Sequence, residues 1–66
     1  MNTNKLRGKM VENGWTVDTL ANEMNIDRST LYRKLDAGEK FTVGEARKIK
    51  DILGLSNEEA SAIFLD

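Results

Sequence analysis

Apolar side chains fall at helical spacing in five short bursts along the chain, the first four each closed by a residue that ends helices. The first burst predicts a helix from about Asn4 to Glu12, with Leu6, Met10 and Val11 inward and Asn13-Gly14 as its stop. In the second, Val17, Leu20, Ala21 and Met24 repeat at i, i+3, i+4, i+7. Thr16 is its N-cap, and Asn25 ends it because Asn tolerates the left-handed backbone of a sharp stop. Asp27 then caps a third helix, about Arg28 to Asp36, with Leu31 and Leu35 inward and Gly38 beyond its end. The fourth opens on a capping box, Thr42-x-x-Glu45, where Phe41 and Ala46 can form a hydrophobic staple. Its inward residues are Val43, Ala46, Ile49 and Leu53, and Gly54 stops it. The fifth repeats the device with Ser56-x-x-Glu59, a Leu55/Ala60 staple, and Ile63 and Phe64 inward.

No window alternates apolar and polar residues as a half-buried strand would. The expected fold is all-α: one compact five-helix domain spanning residues 1–66. Leu6, Met10, Leu20, Ala21, Met24, Ile26, Leu31, Leu35, Phe41, Ala46, Ile49 and Leu53 can close one small core, with Trp15 covering it.

Composition removes several function classes. At 66 residues the chain is near the lower limit for unaided folding. It holds no Cys and no His, which excludes disulfides, thiol chemistry and the usual zinc ligands. There is no Gly-rich phosphate loop, and the acids are scattered or sit in caps, as Glu45 and Glu59 do. A nucleophile–base pair would have to be built from Ser, Lys or carboxylates alone. The chain is therefore not expected to be an enzyme, nor to hold a metal, cofactor or small-molecule ligand. No apolar run reaches membrane-spanning length and no signal-peptide core follows Met1, so a soluble cytoplasmic protein is expected. The net charge of −1 is unlike most nucleic-acid binders, but its distribution is uneven. Residues 1–50 carry ten Lys/Arg against seven Asp/Glu, whereas residues 51–66 carry four acids and no base.

Two short helices joined by so brief a break resemble a DNA-binding helix-turn-helix, whose second helix enters the major groove. The resemblance then extends over most of the chain, about Leu6 to Phe64. Gly14-Trp15-Thr16 before the second helix, Leu20-Ala21 within it, Ile26 after the turn and Arg28-Ser29-Thr30-Leu31 opening the third all match. So do Gly38, Ala46 and Leu53-Gly54-Leu55. On these residues the chain resembles the lambda-type repressor and Cro family, the Cro/C1 or XRE class. The chain departs from that family in four ways. Val17 stands where a phosphate-binding Gln is usual, and Asn25 where the turn usually has Gly. Lys34 stands where an apolar residue is expected, with Leu35 taking over. Met10 and Leu35 replace an Arg–Glu ion pair, an exchange that need cost no stability.

The third helix supplies the candidate base readers. With Leu31 and Leu35 inward, Ser29 and Arg33 face away from the core, Tyr32 and Thr30 flank them, and Arg28 lies in the first turn. Arg suits a guanine edge through two hydrogen bonds, and Tyr32 suits a thymine methyl or a phosphate. The base-reading set is thus Arg28, Ser29, Tyr32 and Arg33. On an isolated helix such residues are ordinarily solvated surface; the motif gives them a role. Candidate phosphate contacts are Thr16 with the amides opening the second helix, Asn22, Thr30, Lys40 and Thr42. Arg7 and Lys9 are weaker candidates, and Arg47, Lys48 and Lys50 are left on the outer face of the fourth helix.

The resemblance implies a Cro-like repressor, of phage or prophage type, that occupies double-stranded operator DNA as a homodimer. It places the dimer surface at Leu55, Ser56, Asn57, Phe64 and Leu65. The acidic C-terminal end predicts weak association that becomes firm on DNA. The chain as given stops after the fifth helix, which sets the expectation of a Cro-like protein above a two-domain repressor, with an excised domain as the other possibility. The alternative of another class is a helical protein-interaction module, such as an antirepressor, that does not bind DNA. Near-neutral charge and the missing Gln at Val17 favour it; Arg28 and Arg33 on one face oppose it.

Overall fold

The computed structural model describes residues 1–65 and contains five helices: α1 (Thr3–Glu12), α2 (Val17–Met24), α3 (Arg28–Ala37), α4 (Val43–Leu53) and α5 (Asn57–Phe64). They form an all-α globule of 27 × 22 × 20 Å. α2 packs against α3 and α4, and α5 packs against α1 and α4.

Four of the five helices start where a side chain satisfies otherwise unpaired N–H groups. Thr42 and Ser56 accept from the N–H groups of Glu45 and Glu59, whose carboxylates accept in return from the cap N–H groups. Thr16 does the same with Thr19, whose hydroxyl replaces the usual carboxylate. The Asn2 side chain accepts from Lys5 N–H and so begins α1, while its own N–H donates to Ile63 O at 2.7 Å. That bond ties the start of α1 to the end of α5. Asp27 stands at the N-cap of α3 with extended backbone, but its side chain makes no capping hydrogen bond, contrary to its expected role.

Three helix stops share one mechanism. Gly14, Asn25 and Gly54 all take positive φ, at 76°, 59° and 66°. The next residue then donates back five positions: Trp15 to Met10, Ile26 to Ala21 and Leu55 to Lys50. This turn folds the following apolar side chain onto the helix just ended. Trp15 and Ile26 are accordingly half-buried against the core, and Leu55 is buried.

The buried core is Leu6, Met10, Leu20, Ala21, Met24, Leu31, Leu35, Ile49, Leu53, Leu55 and Ile63. Met10 and Leu35, which take the place of an ion pair in the resembling family, both belong to it. Ile26, Phe41 and Phe64 pack around its edge, and Ala46 is half-buried. Two residues expected inside lie outside: Val11 and Val43 are exposed. At 100° per residue Val11 lies about 140° from Leu6, and Val43 about 120° from Ile49, so neither shares the buried stripe. The described core contains no buried polar side chain.

Candidate nucleic-acid interface

The αL turn at Asn25 fixes how α3 leaves α2. Leu31 and Leu35 hold its inner side in the core, which leaves Arg28, Ser29, Tyr32 and Arg33 exposed on its outer side. These four, with Asp36, line one shallow open groove. The structure thus brings the proposed base readers onto one surface and adds Asp36 to it. Thr30 is half-buried and belongs to a neighbouring recess around the turn, with Asn22, Asn25, Ile26 and Asp27. Asn22 and Thr30, from different helices, therefore share a wall.

The remaining phosphate candidates lie at helix entrances. The Thr16 and Thr42 hydroxyls each accept a backbone N–H in a capping box. A hydroxyl that accepts in this way still carries a proton to donate. Lys40 is exposed in the loop between α3 and α4. Thr42 borders an apolar cleft with Phe41, Val43, Ala46 and Phe64, which shares no lining residue with the outer groove of α3. Val17, at the position of the absent Gln, is half-buried and packs on the core.

Lys34 explains how a charged residue occupies an apolar position. Its side chain is only 16% exposed, and its Nζ sits 5.6 Å from the centre of the Phe41 ring. The ammonium donates to Lys40 O at 3.4 Å and lies 3.4 Å from Glu45. The stem covers apolar surface while the head finds partners at the rim. Lys34 thereby links α3 to the loop bearing Lys40 and to the start of α4. Glu45 is held below the ordinary carboxylate range, chiefly by the Thr42 N–H and further by Lys34.

The two arginines are also partnered. Arg28 Nε lies 2.7 Å from Asp18 Oδ1 on α2, and Arg33 Nε donates to Glu39 Oε2 at 3.3 Å. Neither pair is legible in the sequence. The residues are ten and six positions apart, too far for helical neighbours, so only the crossing of α2 with α3 and the turn at Gly38 bring them together.

Of the proposed dimer residues, Ser56 and Asn57 are exposed at the α4–α5 turn, and Asn57 Oδ1 accepts from Lys50 Nζ. Phe64 is half-buried, edge-on to Phe41 with ring centres 6.1 Å apart. Leu65 is 81% exposed. Leu55 corrects the expectation: the turn at Gly54 drives it into the core, where it offers no side chain to a partner.

The sequence model of the helix-turn-helix domain of resolvase matches residues 3–38, more than half of the chain. The chain belongs to that family. The match takes in α1, α2 and α3, and a helix-turn-helix domain of this kind is a DNA-binding domain. No curated protein and no solved structure matches it significantly. No helix among the described residues is long and apolar enough to cross a membrane.

Proposed function

We propose that this helix-turn-helix domain is a sequence-specific transcriptional regulator of the Cro type, which places α3 in the major groove of operator DNA. The observation that carries this is the gathering of Arg28, Ser29, Tyr32 and Arg33 on one exposed groove directly after the turn. Arg28 and Arg33 have the chemistry to read guanine, and Ser29 and Tyr32 to complete the base contacts. Thr16 with the amides opening α2, Asn22, Thr30, Lys40 and Thr42 grip phosphates and set the register. Two copies load on a near-palindromic operator, and bound there the protein represses by excluding polymerase. A phage or prophage setting and action on nucleoid DNA fit this role.

Salt dependence is the deciding experiment. Each phosphate neutralised releases counterions, so log affinity for duplex DNA should fall steeply and linearly with log salt. Absence of binding at low salt, or a flat response, removes the proposal.

A second reading has one specific observation behind it. The two arginines that would read bases are each paired with a carboxylate, which suits a helical module that binds protein and has given up DNA. Such exposed pairs contribute only about 0–1 kcal/mol, so DNA can break or share them, and the first reading stands.

A further inference from the structure

Asp18 and Glu39 each pair with one of the two arginines that line the outer groove of α3. Arg33 Nε donates to Glu39 at 3.3 Å, and Arg28 Nε lies 2.7 Å from Asp18 as an ion pair. All four residues are exposed, so the pairs satisfy no buried charge. A guanidinium presents five N–H donors in a rigid fork. A carboxylate at Nε engages one edge of that fork, and the end formed by the two terminal amino groups makes no hydrogen bond to it. That end is the part that can make paired hydrogen bonds to O6 and N7 of guanine. A long side chain held in this pose loses less freedom on docking than a loose one. The same carboxylate is repelled by phosphate, so it opposes the generic attraction that draws any arginine to any duplex.

We propose that Asp18 and Glu39 are specificity-determining positioning residues. They aim Arg28 and Arg33 at base edges and weaken non-specific binding. This rests on the DNA-binding reading above.

The test uses the whole chain, its Asp18→Asn and Glu39→Gln variants, and a randomised pool of duplex DNA. Affinity for the unselected pool is measured first; bound duplexes are then selected and sequenced. Both variants should bind the unselected pool more tightly, by about two- to fivefold, the scale of an exposed ion pair. Both should also recover a motif with weakened guanine preference at the position read by the partnered arginine. Asp18→Asn added to Arg28→Ala should leave the motif of Arg28→Ala unchanged, a pattern that a merely structural role for Asp18 would not produce. Recovery of the wild-type motif at full strength by both variants overturns the proposal, whatever happens to pool affinity. So does a wild-type protein that binds the pool but enriches no motif, an outcome that leaves DNA binding itself intact. Failure of the wild type to bind any duplex at low salt overturns the DNA-binding reading along with it.

Discussion

Lys9 of α1 forms an ion pair with Oε2 of Glu59 on α5, while Oε1 of the same carboxylate accepts the Ser56 N–H at 2.9 Å. One side chain therefore caps α5 and ties it to α1. The Lys9 hydrogen bond, followed by that of the Ser56 N–H, lowers the Glu59 pKa from its ordinary 4.5 to about 2. A depressed carboxylate stabilises the fold fully above its unfolded pKa, and that stabilisation is lost as pH falls toward the folded value. Glu45 is depressed too and acts in the same direction. Lys9, raised by Glu59, has the opposite sign: its contribution is lost only as pH rises through a value above 10.5. Stability should therefore decline between about pH 4.5 and pH 2, and Glu59→Gln, which can still cap, should flatten part of that decline. Thermal melts followed by circular dichroism across this range provide the check; an identical acid slope in the variant would contradict the assignment.

Gly8 lies in mid-α1, exposed, and a Cβ added there would meet nothing within 4 Å. Gly8→Ala should therefore stabilise the domain by about 0.5–1 kcal/mol by removing backbone freedom from the unfolded chain. The measurement is the midpoint of urea unfolding. A lower midpoint would mean that α1 meets something at this face that the fold does not show.

The turn that aims α3 depends on Asn25, the one non-glycine residue with positive φ among those described. Asn25→Gly should fold as well as the wild type. Asn25→Val should lose about 1–2 kcal/mol, because a β-branched side chain clashes in the left-handed region. Equal stability of the two variants would show that the turn can be made with another backbone conformation.

The two capping boxes with glutamate were legible because their signature is local: two residues three positions apart. So were the three stops and the inner stripes of α2 and α3. The box at Thr16 is harder to read, since Thr19 does the work of Glu, and the Asn2 cap lies four residues before Leu6, where the first apolar stripe begins. Val11 and Val43 were misplaced because apolar identity says nothing of whether another element covers that side of the helix. Leu55 is placed on the dimer surface only by the family resemblance, which does not register that the left-handed stop at Gly54 folds it inward. The arginines of the candidate interface could be read from the sequence. Their partners Asp18 and Glu39 could not, since they follow from the crossing of elements rather than from spacing along one of them.

Arg33 and Lys40 should fail differently when each is changed to Ala. Arg33 lines the outer groove of α3 and is proposed to read bases. Its loss should narrow the gap between selected and random DNA, at about 1–3 kcal/mol for a guanine contact. Lys40 is proposed to touch phosphate only, so its loss should weaken both DNAs equally and reduce the salt slope by about one. Competition binding with the two DNAs decides; equal loss on both for Arg33→Ala would remove it from the base-reading set.

The proposed loading of two copies on DNA requires a contact that leaves α3 free, and Leu65 is the side chain best placed to supply it. It is 81% exposed, beside Phe64, and lines the same cleft as Phe41, Val43 and Ala46. Phe64 is already engaged with Phe41, and Leu55 with the core, so the two should behave as packing residues when truncated. Leu55→Ala should cost about 2–5 kcal/mol of stability. Leu65→Ser should leave the melting temperature unchanged while abolishing cooperative loading of a second protomer on a palindromic duplex. The four acids after residue 50 oppose association in free solution, most strongly at low salt, so the wild type should sediment as a monomer without DNA. With a palindromic duplex recovered by selection it should sediment as two protomers per duplex. A complex of one protomer per duplex at saturation would rule out the dimer, and undiminished cooperativity in Leu65→Ser would move its contact elsewhere on the α4–α5 surface.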